Sequence, residues 1–373
     1  MTNFKKIKFI MKEFISGFAD APLFFSIFVP LVSICNLNPK ISLFLFGLSF
    51  IFASLFFKIP ISVQPLKSIA TVSIIYNIPS EYINFAGLVF GFIFLIFFIF
   101  SEKIEKNINF IPSYIVGGIQ ISITILLIKT GINFTFPQSF RIEELYFIFF
   151  LIFVLIFLCK KSPHFSLSLI LFCGFLQNIL YGMPEKGFII GRSLDVFNIK
   201  KILFLLILPQ ILLTLTNSTI ATIETAKYYF DKRAKRVNYK NIFFSIGFLN
   251  ILNGLLKGIP ICHGATGLVS YSKFGAKTYL STLFFGIVLM FLSFFPWKII
   301  KIFYFSDSIL GILLFYIGLS FYFVGIERAK NNLEFFVLFI MGLITILTNN
   351  IGFGFLISII ISIILKKYGR NFS

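Results

Sequence analysis

Apolar runs separated by short polar breaks recur along the whole chain, among them residues 85–100, 146–158 and 333–347. Several approach the roughly 20 residues that an α-helix needs to cross a bilayer. In hydrocarbon every backbone N–H and C=O must find a partner inside the protein, and a helix supplies those partners within one segment. The composition agrees: 58% of the 373 residues are hydrophobic and only 13% charged, too few charges to cover a water-soluble surface. The expected fold class is an all-α polytopic membrane protein.

A net charge of +19 would point to nucleic acid in a soluble chain. Here the basic residues gather at span ends and in short loops, so nucleic acid is not an expected partner and the charge reports orientation instead. The 56 phenylalanines read as a bias of composition and carry no chemistry. Four scattered cysteines without a Cys-x-x-Cys pair argue against a disulfide scaffold or a zinc site. No metal or cofactor is expected. A removable leader is not expected either, because the N-terminal lysines are not followed by an apolar core and a small-residue cleavage site.

One polar stretch interrupts the apolar pattern twice. Residues 58–68 read Lys-Ile-Pro-Ile-Ser-Val-Gln-Pro-Leu-Lys-Ser, and residues 258–267 read Gly-Ile-Pro-Ile-Cys-His-Gly-Ala-Thr-Gly. Pro60 and Pro260 stand 200 positions apart. Proline-broken helices at corresponding places in two halves mark a transporter's substrate site. The halves are placed at 1–182 and 202–373, joined by a connector at 183–201.

Seven elements are expected in each half. In the first they are spans near 14–34 and 41–57, a short helix reaching residue 76, then spans near 85–100, 112–129, 146–159 and 165–181. In the second they are spans near 202–225 and 242–256, a short helix after Pro260, then spans near 280–295, 306–325, 333–348 and 352–365. An odd number inverts the second copy relative to the first. The expectation is therefore a seven-plus-seven inverted repeat whose two half-helices meet at the midplane. Lysine and arginine clusters, above all in 227–240, favour both termini in the cytoplasm of a multi-pass protein of the cell membrane.

The chemistry of the two stretches suits a small dianion. Pro65 is expected as the first helical residue, its missing N–H being one of the helix's orphans. Lys67 then adds a cation to a helix start that is already positive, which makes sense around an anion. Gly264 and Gly267 permit close backbone approach, Thr266 offers a hydroxyl and His263 a donor. The plainer alternative is that the prolines only kink the helices and Lys67 snorkels. Asp20 sits inside the first expected span, where a carboxylate needs a partner, either Lys67 as a structural ion pair or a coupling ion. Asn217 lies on a polar stripe of the eighth span. Gln120, Asn250 and Asn253 are expected to be interhelical contacts.

These residues resemble the molybdate transporter family, which is related to the sulfate permeases. Its signature Pro-x-x-Val-Gln-Pro-Met-Lys-x-Ile-Ala is similar to residues 60–70, and its Met-Pro-Met-Cys-His-Gly-Ala-Gly-Gly-Leu to residues 259–268. The first span, Glu13 to Asp20, and the run Pro209 to Ser218 also match family patterns. Thr266 replaces a glycine, which would narrow the site or add a hydrogen bond. The resemblance implies import of molybdate, tungstate or sulfate on an inverted-repeat fold, without the soluble C-terminal domain of typical sulfate permeases.

The expected function is secondary active transport of a tetrahedral oxyanion, molybdate first. Gln64, Lys67, Ser68, Asn217, His263, Gly264, Ala265 and Thr266 would bind it, and Asp20 is the candidate for ion coupling. The expected partners are the oxyanion, the lipid bilayer and a coupling proton or sodium ion, with a homodimer as a further option. Alternatives are a sulfate or nucleobase permease of the same fold, or, in another class, an anion channel or membrane-embedded enzyme. No catalytic grouping of side chains supports an enzyme.

Overall fold

The computed structural model describes residues 3–107, 113–135, 163–181 and 203–348, and beyond these only positions 354, 357, 360 and 361. The span expected at 146–159, the connector at 183–201 and nearly all of the span at 352–365 lie outside the described residues. Six helical stretches of the described residues are long and apolar enough to cross a membrane. A seventh arises if Leu280–Ser293 and Trp297–Phe303, bent by 118°, count as one.

The first expected span is two helices, α1 (Asn3–Ser16) and α2 (Ala21–Cys35). Between them the backbone tightens into i→i−3 bonds, such as Phe18 N–H to Ile15 and Ala19 N–H to Ser16, and Pro22 restarts the helix in its first turn. Helix α3 (Pro39–Phe57) is capped by Asn38, whose Oδ1 accepts the N–H of Lys40 and Ile41. Strand β1 (Val63–Pro65), helix α4 (Lys67–Ile75) and helices α5 (Ser80–Ile99), α6 (Ser101–Asn107), α7 (Ser113–Thr135) and α8 (Pro163–Tyr181) follow.

The second half opens with α9, a continuous helical stretch over 203–230 whose segments Leu203–Ile207 and Thr214–Ile220 are wound as π-helix. Then come α10 (Tyr239–Leu255), β2 (Ile261–His263), α11 (Ala265–Lys273), α12 (Leu280–Ser293), α13 (Asp307–Ile326) and α14 (Asn332–Thr348).

The two three-residue strands pair antiparallel, Val63 with His263, Gln64 with Cys262 and Pro65 with Ile261. Val63 and His263 are equivalent under the 200-residue offset, so at this one pair equivalent residues face one another, as beside a two-fold axis. The strands bring the start of α4 and the start of α11 together in the interior. Pro65 ends β1 and is not the first helical residue; the N-cap is Leu66 and the helix begins at Lys67. A strand suits Pro65 there because its missing donor falls at the end of the ladder.

Helix pairing follows the same axis. The main packings are α5 on α10, α12 on α3 and α7 on α13. Exchanging the halves turns the first pair into the second and the third into itself, which is the pattern of an inverted repeat. These crossings are close because glycines face each other. A Cβ on Gly286 would lie 2.8 Å from the Gly47 carbonyl oxygen, and one on Gly131 2.8 Å from that of Gly311. Small residues at the crossing let apolar helices pack without a hydrophobic driving force between them. Two groups result: α3, α5, α10 and α12 surround the strands and half-helices, while α7, α8, α13 and α14 pack beside them.

Candidate functional site

A cavity of about 490 Å³ lies where α4, α9, β2 and α11 meet α7 and α13. Gln64, Lys67, Asn217, His263, Gly264, Ala265 and Thr266 line it, so residues from both proline-broken stretches share one wall. Ser68 does not: its side chain is fully buried away from the cavity. Asp20 is also buried and off the wall, directly behind Gln64.

Lys67 is half-buried with its ammonium 5.9 Å from the centre of the Phe321 ring, a cation–π contact across the cavity. Asp20 Oδ2 accepts the Ser62 hydroxyl at 2.5 Å and the Gln64 side-chain amide at 2.8 Å. Because Gln64 donates through Nε2, its carbonyl Oε1 is left buried and without a partner among the described residues. The break between α1 and α2 is what seats Asp20 there. Gly267 makes room for it, since a Cβ at that position would collide with Asp20 and Ser62, and one on Gly264 would collide with Gln64. Both glycines were expected to admit a ligand; their first effect is to let side chains of one repeat lie on the helix start of the other.

His263 was expected to donate to a guest. Its Nδ1 lies 3.1 Å from the Ser62 carbonyl oxygen and its Nε2 2.9 Å from the Ser245 hydroxyl. A carbonyl only accepts, so Nδ1 carries a proton and donates to it, while the Ser245 hydroxyl, able to donate or accept, meets Nε2. Both nitrogens are engaged within the protein, and Phe57 packs edge-on at 5.3 Å. What the second stretch offers the cavity is therefore backbone and the Thr266 side chain, the most exposed of the group. The N-cap of α11 is Gly264, which has no side chain to satisfy the N–H groups of the first turn.

The start of α4 differs. Gln210 on α9 turns its Oε1 onto the N–H groups of Ser68 (2.7 Å) and Ile69 (3.3 Å), while its Nε2 donates to Thr214 at 2.8 Å. A neutral amide thus caps α4 from another helix. Gln210 carried no assigned role in the sequence reading, and its only signal there was a place in a matched pattern. Asn250, expected as an interhelical contact, instead serves β2: its Oδ1 accepts the Ile261 N–H at 2.8 Å and its Nδ2 donates to the Ile261 carbonyl at 2.7 Å. Asn253 does reach across helices, to Ser49 at 3.3 Å. Gln120 lines the cavity. So does Arg328, which donates to Asn217 Oδ1.

The fold is shared with solved anion transporters. The transmembrane domain of a cyanobacterium bicarbonate transporter, BicA, superposes with a TM-score of 0.64 at 14% identity over 95% of this chain and 97% of that one. Murine Slc26a9 in its inward-facing state gives 0.65 at 13% identity over 96% and 69%. At such identity the likeness speaks for the fold alone. Two relatives are similar in sequence. Molybdate transporter 2 of Arabidopsis thaliana is 28% identical over 186 residues, covering 49% of this chain and 39% of the relative. Molybdate transporter 1 of Chlamydomonas reinhardtii is 28% identical over 160 residues, covering 41% and 30%. The chain thus matches less than half the length of either relative. Residues 12–127 and 203–321 match the family described as molybdate transporter of the MFS superfamily. That match holds both strands, both half-helices and all of α9, and on it the chain belongs to the molybdate transporter family.

Proposed function

We propose that the protein is a secondary active transporter of a tetrahedral oxyanion, molybdate first, held in the cavity between the starts of α4 and α11. The observation that carries this reading is the make-up of the cavity wall. It presents the Lys67 ammonium, the first turn of α11, which has no side-chain cap at Gly264, and the Thr266 hydroxyl, and among the described residues no carboxylate lines it. Helix starts and a nearby ammonium favour a small anion in a site sheltered from water. The names of the two similar relatives point to molybdate among such anions.

In this reading Lys67 neutralises the guest, Thr266 and the N–H groups of α11 donate to it, and Asn217 and Gln64 complete the wall. Asp20 carries the coupling proton: protonation would loosen its hold on Gln64 and so link the ion to the shape of the wall. Transport moves the group bearing the strands and half-helices against the group of α7, α8, α13 and α14. Both termini face the cytoplasm of the cell membrane.

The test is uptake of radiolabelled molybdate into proteoliposomes, with sulfate, tungstate and uracil as competitors. Saturable uptake that molybdate and tungstate suppress at the lowest concentrations supports the reading. Suppression by uracil alone would give the site to a nucleobase. Uptake should collapse in Lys67→Ala, and undiminished uptake would remove that lysine from the site.

A further inference from the structure

Tyr271 on α11 is the largest fully buried side chain among the described residues, and it does not line the cavity. It stands four residues after Gly267, so the two share one face of the helix, and helical side chains lean back over the preceding turn. That turn holds the gap at Gly267, where a Cβ would collide with Asp20 and Ser62. The ring packs against Ala19, next to Asp20 in the break between α1 and α2. Its hydroxyl thereby comes beside Ser62 and the Asp20 carboxylate, yet it stands outside hydrogen-bond geometry with any described residue. A hydroxyl sealed from water without a partner is unfavourable, and phenylalanine would fill the same space. Such a group calls for a use in another state of the protein.

Asp20 supplies that use. Its Oδ2 draws two donors, the Ser62 hydroxyl at 2.5 Å and the Gln64 amide at 2.8 Å. An ionised carboxylate is held by such donors, whereas a protonated one becomes a donor itself. Around the break, α4 turns Lys67 toward Asp20, β2 turns Cys262 and α11 turns Tyr271. Helix α12 brings the Phe285 ring against Phe18, and α13 carries Tyr316 and Arg328 on the cavity wall. Tyr271 is neutral and can give or accept a hydrogen bond, so it can serve either protonation state of Asp20.

We propose that Tyr271 is a positioning residue of the ion-coupling site, its hydroxyl turning onto Asp20 when the carboxylate is ionised and so letting the proton leave. The proposal rests on the reading of Asp20 as the proton carrier. Asp20 takes a proton from water on one side and returns it to water on the other; Tyr271 keeps its own throughout.

Proteoliposomes of the full chain separate two parts of the cycle. Net molybdate uptake driven by an inward proton gradient needs Asp20 to lose its proton at each turnover. Exchange, with molybdate on both sides, does not. Tyr271→Phe should exchange as wild type does, while its net uptake falls about 10-fold or more, the scale of one hydrogen bond to a charged group. Raising the internal pH by about one unit should restore net uptake relative to wild type, because easier proton release offsets the missing donor. Tyr271→3-fluorotyrosine, a stronger donor, should sustain net uptake to lower internal pH, and it carries the test if Tyr271→Phe does not fold. Tyr271→Phe overturns the role of Tyr271 if its net uptake is undiminished, if exchange falls equally, or if higher internal pH restores nothing. An unmoved pH limit in Tyr271→3-fluorotyrosine overturns it too. Asp20→Asn should lose net uptake; net uptake retained there, or none driven by the gradient in wild type, overturns the coupling reading and this proposal with it.

Discussion

Single side chains in this protein act mostly by satisfying backbone that the broken helices leave open. Gln210 is the clearest case, since its Oε1 holds two N–H groups at the start of α4. Gln210→Ala should cost about 1–3 kcal/mol for each buried group left unpaired, read as a lower melting temperature in detergent. Gln210→Glu should fold at least as well, because a carboxylate suits a helix start, yet uptake should fall as the added negative charge repels the anion. Normal uptake by Gln210→Glu would argue that the guest never approaches α4. Glu13 plays a similar part outside the cavity: its two oxygens accept the N–H groups of Lys277 (2.8 Å) and Thr278 (3.2 Å) and tie α1 to the loop after α11. Glu13→Gln exchanges one acceptor for a donor that faces an N–H, and a loss of about 1–3 kcal/mol should appear in the same melting assay with the cavity intact.

Among elements, the helix pairs depend on close approach. Ser54 and Thr282 share a hydrogen bond of 2.7 Å across α3 and α12, next to the contact of Gly47 with Gly286. Gly286→Val forces that pair apart and should destabilise the protein by about 1–3 kcal/mol or more, with reduced yield of folded protein as the first sign. A substitution to Val that leaves yield and melting unchanged would show that the crossing has slack. The basic residues at 231–236 also belong at this scale. Arg233 donates to the Lys277 carbonyl at 2.6 Å and Arg236 to that of Phe56 at 3.0 Å, so part of the charge that orients the chain also closes off α3 and the loop after α11.

The whole molecule has the fold of an inverted repeat whose halves meet on the strand pair, and the proposed orientation of that fold makes a prediction about its sides. With the native cysteines replaced, a cysteine at exposed Lys232 should react with an impermeant thiol reagent only from the cytoplasmic side, and one at exposed Lys298 only from the other. Labelling of both from one side would break the proposed topology. Much of this level was legible beforehand. Hydropathy marks the spans, and two proline-broken polar stretches in an apolar chain stand out because few other polar residues compete with them. The break between α1 and α2 was missed, since Gly17 to Asp20 changes hydrogen bonding without changing hydropathy.

What the amino-acid sequence by itself determined was the solvent, the helical class, the repeat and the residues 58–68 and 258–267 that meet at its centre. All of these are written in local composition and in spacing. Only the tertiary structure decided that His263 turns inward to Ser62 and Ser245, that Gln210 caps α4 and that Arg328 joins Lys67 at one cavity. The physical reason is that a buried polar group is defined by its partner, and these partners lie 142 residues apart for Ser68 and Gln210 and 111 for Asn217 and Arg328. No local pattern encodes such pairings; they exist once the helices have packed.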